Sequence, residues 1–309
     1  QKFLSDKRII DYPDWLWQPI LQLILASRPA KVAAAYREIW TPDGSPLLIH
    51  SLAQRDGLRK RLGGSYAVEL GLSYTANDIA SAMRTLEASG CERILVVPLF
   101  PEFSTTTTAS AYDAAVAAAL GYEKGLVQTP LAKKRITPLT LLPSFSRNPR
   151  YQKALATHIK KELAYLPEPP DHLLFSFHGI PLRYEKSGDP YREECQSTVS
   201  ALSNALELPE GSYTLSFQSK FGPEEWLKPS TQELFSALPK RGVRRLAVVA
   251  PGFASDCIET LEELRCEGRE LWVKAGGLAA NFHVLPCLNA SEPFLDFLAE
   301  LIEENSPKS

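Results

Sequence analysis

Two stretches of this chain echo each other, and an internal repeat restricts the possible folds more than any single motif does. Ser89-Gly90-Cys91-Glu92-Arg93-Ile94-Leu95-Val96-Val97 aligns with Arg241-Gly242-Val243-Arg244-Arg245-Leu246-Ala247-Val248-Val249 at a shift of 152 residues. Each copy follows a helical pattern, Ile79 to Ser89 and Thr231 to Lys240, closed by a glycine as helix C-termini favour. A second echo sets Gly64-Ser65-Tyr66-Ala67-Val68-Glu69-Leu70 against Gly211-Ser212-Tyr213-Thr214-Leu215-Ser216-Phe217 at a shift of 147. Short apolar strands alternating with amphipathic helices imply parallel strands joined by crossover helices. The expected fold is therefore α/β, with two similar doubly wound, Rossmann-like halves, each a parallel sheet flanked by helices, and a ligand cleft between them. The expected boundaries are 1–142 for the first half, 143–170 for a crossover helix and linker, and 171–309 for the second half. The first half shows no counterpart to the apolar strand that ends at His178, and the expectation is that this strand precedes Gln1.

That strand, Leu173-Leu174-Phe175-Ser176-Phe177, delivers His178-Gly179-Ile180-Pro181 to the point where the backbone turns. Later, Arg245 to Ala250 ends in Pro251-Gly252-Phe253-Ala254-Ser255-Asp256-Cys257-Ile258-Glu259. An imidazole and a carboxylate thus stand at the carboxyl ends of two strands, the edge where open α/β sheets bind ligands. A single histidine after a strand is more often structural than catalytic, but Gly179 and Pro181 favour its presentation to a cleft. Asp256-x-x-Glu259 also has the form of a helix capping box, whose side chains only satisfy backbone N–H groups. In an α-helix starting there, Glu259, Glu263 and Glu267 follow one side with Glu262 beside them, either a solvated acidic face or a track for a hard divalent cation. Trp226, in a loop bounded by Pro and Gly, is either core or a cover for a flat apolar ligand. The hydroxyl run Ser104 to Thr108 reads as turn and cap chemistry, with binding of a ligand acid group as the alternative.

Several function classes are disfavoured. With 34 Lys and Arg against 36 Asp and Glu, the chain lacks the basic footprint that nucleic acid requires. The five cysteines form no Cys-x-x-Cys pair, which fits a reducing, cytoplasmic setting. The apolar stretch Trp15 to Ala26 is too short and too interrupted to cross a bilayer, although it suits a membrane surface. Neither a Gly-x-Gly-x-x-Gly nor a Walker loop occurs, and Gly-x-Ser-x-Gly is absent.

The motifs Ser176-Phe177-His178-Gly179-Ile180-Pro181, Gly188-Asp189-Pro190-Tyr191, Phe217-Gln218-Ser219-Lys220-Phe221-Gly222 and Pro251 to Leu261 resemble those of ferrochelatases, lyases that insert ferrous iron into a porphyrin. Tyr36-Arg37, Gly44-Ser45-Pro46, Phe100 to Thr107 and Leu288-Asn289 extend the resemblance over nearly the whole chain in family order. The resemblance implies His178 and Glu259 as the catalytic pair, and it implies a metal track of His178, Glu259, Glu263 and Glu267. It also implies a porphyrin pocket touched by Tyr36, Ser45, Phe103, Trp226 and Phe253. Protoporphyrin IX and Fe²⁺ are the implied substrates, protohaem the product, and Trp15–Leu25 an apolar lip that rests on the membrane in some members. Cys257 stands where many members have histidine, a form that resembles the gamma-proteobacterial branch. The cysteine spacing does not match the iron–sulfur branches, so no cluster and no resident cofactor are expected, and a monomer is expected. The rival readings are a cobalt or nickel chelatase, a non-catalytic porphyrin or haem carrier, and a two-lobed periplasmic binding protein.

Overall fold

A computed structural model describes residues 3–8, 10, 12–75, 78–121 and 136–306. Its elements in chain order are α1 (Asp14–Ile39), α2 (Pro46–Leu62), α3 (Ile79–Ala88), β1 (Ile94–Val96), α4 (Thr108–Leu120), β2 (Leu139–Leu141) and α5 (Pro149–Ala164). The chain continues through β3 (His172–His178), α6 (Leu182–Lys186), α7 (Tyr191–Ala205), β4 (Tyr213–Gln218), α8 (Thr231–Ala237) and β5 (Leu246–Val249). A π-helix (Glu259–Glu267), α9 (Gly268–Lys274), β6 (Phe282–Val284) and α10 (Glu292–Asn305) complete it. The fold is α/β with parallel sheets flanked by helices.

The second half forms a four-stranded parallel sheet in the order β4-β3-β5-β6. Central β3 is buried from His172 to Phe177, which explains why its sequence is continuously apolar rather than alternating. The chain leaves β3 for β4 on one side and returns to β5 on the other, so the topological switch point lies between β3 and β5. Ligand crevices open at the carboxyl ends of such strands. His178 and the Pro251–Glu259 segment lie at those two ends.

In the first half, β1 pairs in parallel with β2, and this pair is the counterpart of β5-β6. The long echo is borne out to the level of backbone: Gly90 and Gly242 close their helical segments with φ of 80° and 93°, values that favour glycine. The shorter echo is half realised. Tyr213–Gln218 is strand β4, whereas Tyr66–Leu70 joins no strand ladder. The physical reason is topological, because β4 pairs only with β3 and the described residues of the first half contain no counterpart of β3.

The principal core is shared between the two halves of the sequence. Leu58 and Leu62 of α2 pack with Phe294, Leu295 and Leu298 of α10, with Tyr151 and Ile159 of α5, and with Phe175 and Phe177 of β3. A smaller core of Met83, Ile94, Ala115 and Ala119 lies between α3, β1 and α4. At the amino end, Trp17 and Leu21 are buried with Leu4, and the Trp17 indole N–H donates to the Leu4 carbonyl at 2.7 Å. The same helix leaves Trp15 79 % and Leu23 75 % exposed. Among the described residues no helix is long and apolar enough to cross a membrane.

Candidate active site

His178 is the last residue of β3, half-buried and paired in register with Gln218 of β4. Its Nδ1 lies 2.6 Å from the Gly179 carbonyl oxygen. A carbonyl can only accept, so Nδ1 carries the proton and Nε2 of the neutral ring keeps its lone pair. A Cβ on Gly179 would stand 2.8 Å from the Gln218 carbonyl oxygen and 3.0 Å from Cε3 of Trp226, so only glycine lets these segments approach. The Trp226 loop is stitched to the turn after His178: the Leu182 N–H donates to Glu225 O at 2.8 Å and the Leu227 N–H to Ile180 O at 3.0 Å. This holds the Trp226 ring 6.5 Å from the imidazole, centroid to centroid.

Glu259 begins the π-helix beyond β5. The structure corrects two expectations here. The capping box does not form as read, because Asp256 is drawn elsewhere. Its carboxylate accepts from the Thr260 hydroxyl at 2.9 Å and the Asn289 amide at 2.8 Å, while Asn289 Oδ1 accepts the Asp256 N–H at 2.8 Å. The helix is also π rather than α, with the Gly268 N–H bonded to Glu263 O five residues back. A turn therefore closes after more than four residues, and the α-helical stagger of Glu259, Glu263 and Glu267 does not apply. Such π segments recur at functional sites.

Glu259 meets the end of α1. Burial pushes the Tyr36 hydroxyl up, and the Glu259 charge adds to it. The buried Cys257 thiol is held well above the usual thiol range, first by desolvation and then by the Glu259 carboxylate, its hydrogen-bond partner. Tyr36, Cys257 and Glu259 therefore form one cluster.

Glu263 points toward the end of β4, the neighbour of the histidine strand. Its carboxylate accepts the Ser219 N–H at 2.7 Å, the Ser219 hydroxyl at 2.5 Å, and the side-chain amide of Gln232. Ser219 adopts a left-handed φ of 63° to aim both donors. Gln218 completes the link: its amide donates to Glu259 O at 3.0 Å, and its Oε1 accepts from the Ser176 hydroxyl at 2.7 Å. Through Gln218 the imidazole strand and the acidic π-helix are tied into one unit. Glu267 is exposed, and among the described residues no three His, Cys, Asp or Glu side chains converge as a metal cage. Of the four residues named for a metal track, the three glutamates are arrayed along the π-helix and His178 stands apart at the end of β3.

The remaining pocket candidates lie on separate elements. Phe103 follows the end of β1 and donates its N–H to Glu194 of α7 at 2.7 Å. Phe253 packs on the core beneath β5, and Ser45 precedes the first residue of α2 without capping it through its side chain. The start of the hydroxyl run is spent internally, since the Ser104 and Thr105 hydroxyls donate to Asp189 at 2.9 and 2.8 Å, whereas the buried Thr108 hydroxyl has no hydrogen-bond partner among the described residues. Sequence reasoning passed over Glu102, Asp189, Glu194 and Gln218. Glu102, Asp189 and Gln218 lie inside motifs it did single out, and that was the available signal.

The ferrochelatase family model matches residues 1–306. The chain is 41% identical over 312 residues to ferrochelatase 1 of Shewanella oneidensis, covering 99% of this chain and 89% of that protein. It is 43% identical over 307 residues to ferrochelatase of Actinobacillus pleuropneumoniae serotype 3, with coverages of 98% and 90%. Among solved structures, CbiX, described as the terminal enzyme of sirohaem biosynthesis in denitrifying bacteria, superposes with a TM-score of 0.55 at 16% identity, covering 85% of this chain and 95% of its own. The sirohydrochlorin chelatase SirB of Bacillus subtilis subspecies spizizenii, solved with cobalt, gives 0.52 at 12% identity, with coverages of 82% and 88%. At these identities the two structures bear on the fold alone.

Proposed function

The chain belongs to the ferrochelatase family, and from that premise we infer that it inserts Fe²⁺ into protoporphyrin IX to give protohaem, with His178 as the proton acceptor. Insertion removes two pyrrolic protons, strips water from the metal and bends a flat ring so that its lone pairs become accessible. The observation that carries the assignment is the bond from His178 Nδ1–H to Gly179 O, which leaves Nε2 open at the topological switch point. A neutral imidazole with a free ring nitrogen is a competent general base.

Glu259 sits across the strand ends as the first carboxylate on the acidic route, beside Tyr36 and Cys257. Glu263 is held by Ser219 and Gln232 and keeps that route in register with β4. Glu267, exposed at the far end of the π-helix, is its outer member. Trp226, Phe253 and Phe103 supply apolar walls, Tyr36 the α1 side, and Ser45 a polar group at the rim. Binding energy from such walls is what bends a macrocycle toward the transition state. Iron is a substrate here, and the chemistry asks for no resident cofactor. We place the protein in the cytoplasm as a monomer, with the exposed Trp15 and Leu23 of α1 resting on a membrane surface.

The test is anaerobic mixing of the protein with Fe²⁺ and each candidate porphyrin while the Soret band is followed. Conversion of protoporphyrin IX to the haem spectrum supports the assignment. Porphyrin binding without metal insertion would identify a carrier, and insertion of cobalt or nickel alone a different chelatase.

A further inference from the structure

Four consecutive residues after β1 are each bonded to α7 or to Asp189 just before it. Glu102 Oε1 accepts the Thr198 hydroxyl at 2.7 Å, and Phe103 N–H goes to Glu194 at 2.7 Å. Ser104 Oγ donates to Asp189 at 2.9 Å, and Thr105 donates to Asp189 through both its N–H and its hydroxyl at 2.8 Å. The other Asp189 oxygen takes the Tyr191 N–H at 3.0 Å, and Glu194 also accepts from Ser144 at 3.2 Å and Ser146 at 3.1 Å. Every partner of Asp189 is a donor, and Asp189 is only 6 % exposed. A carboxylate, which only accepts, is the one small side chain that satisfies such a set, and bonds to a charged acceptor are the stronger kind. An amide would turn an N–H toward another N–H.

We propose that Asp189 and Glu194 are positioning residues: they lock the 102–105 loop of the first half onto α7 of the second, fix Phe103 at the cleft, and so set the affinity for the porphyrin. The proposal rests on the porphyrin reading above. It separates the two substrates, because the bonds that tie the His178 strand to the π-helix run through Gln218 to Ser176 and to Glu259 O, apart from Asp189 and Glu194. Loosening the seam weakens porphyrin binding and leaves the base and the acidic route in place.

The variants Asp189→Asn and Thr105→Val test it, the second removing a single donor. Steady-state kinetics with protoporphyrin IX and Fe²⁺ give KM and kcat for each, and porphyrin fluorescence quenching without iron gives binding directly. Asp189→Asn should raise the porphyrin KM and dissociation constant about tenfold and Thr105→Val about threefold. The iron KM and kcat should stay within about twofold. Unchanged porphyrin affinity in both variants would overturn the proposal, as would equal losses toward both substrates with a lowered unfolding midpoint, the signature of a purely structural role. Should Asp189→Asn not fold, unchanged affinity in Thr105→Val is enough to overturn it. A parent protein without insertion activity would refute the chelatase reading, while the quenching titration would still judge the seam.

Discussion

Replacing Glu102 by glutamine should stabilise this protein at neutral and alkaline pH. Glu102 is 2 % exposed, between Thr198 and the close approach of Gly252 and Phe177, and its Oε2 has no hydrogen-bond partner among the described residues. Burial pushes its carboxyl from 4.5 up to about 7; the Glu194 charge adds to that, and the Thr198 bond opposes it. Between those values the folded chain keeps a proton that the unfolded chain releases, so the native state binds more protons and stability falls as pH rises through the window. At about 1.4 kcal/mol per factor of ten in proton affinity, the penalty is about 1 kcal/mol at pH 5 and about 3 kcal/mol above pH 7. Glutamine keeps the acceptor for Thr198 and never ionises. Urea unfolding of parent and Glu102→Gln at pH 5, 7 and 8 reads the effect. The advantage of the variant should grow by about 2 kcal/mol between pH 5 and pH 8. A pH-independent difference, whatever its sign, would mean that Glu102 is not neutralised by its surroundings.

Other outcomes follow from single contacts. Gly179→Ala should cost about 1–3 kcal/mol and abolish insertion, because its Cβ meets the Gln218 carbonyl and the Trp226 ring; thermal unfolding and the Soret assay check both. Gln218→Leu should leave porphyrin quenching within about threefold of the parent and lower kcat at least tenfold, since it cuts the tie between the His178 strand and the π-helix. Trp15→Ser should shift stability by less than about 0.5 kcal/mol yet weaken co-sedimentation with anionic vesicles, whereas Trp17→Ala should cost about 3 kcal/mol of α1 docking, read by hydrogen exchange.

The sequence carried much of the architecture because β1 and β5 each follow a helical segment closed by a glycine, and the two copies reinforced each other. It did not carry the fate of Tyr66–Leu70, because strand assignment depends on a neighbour and not on the segment's own pattern. The placement of His178 was legible from the strand end and the turn residues after it. The π-helix was not, since bonding to the fifth rather than the fourth residue leaves no mark in residue spacing. The Asp256 capping box was a plausible local reading that lost to long-range partners, Asn289 and Cys287. Glu194 reads locally as one of two acids in the first turn of α7, where the helix dipole favours negative charge, and nothing local reveals that it collects donors from residues 103, 144 and 146. Glu102 beside a proline looks like a solvated acid, and only the fold buries it.

The open Nε2 of His178 is the point on which the chemistry turns. Anaerobic single-turnover insertion, followed at the Soret band after mixing Fe²⁺ with porphyrin-loaded His178→Ala, addresses it directly. Porphyrin should remain bound within about threefold of the parent affinity while insertion slows by a factor of about 10²–10⁴. Insertion at the parent rate with porphyrin bound would place the proton acceptor elsewhere.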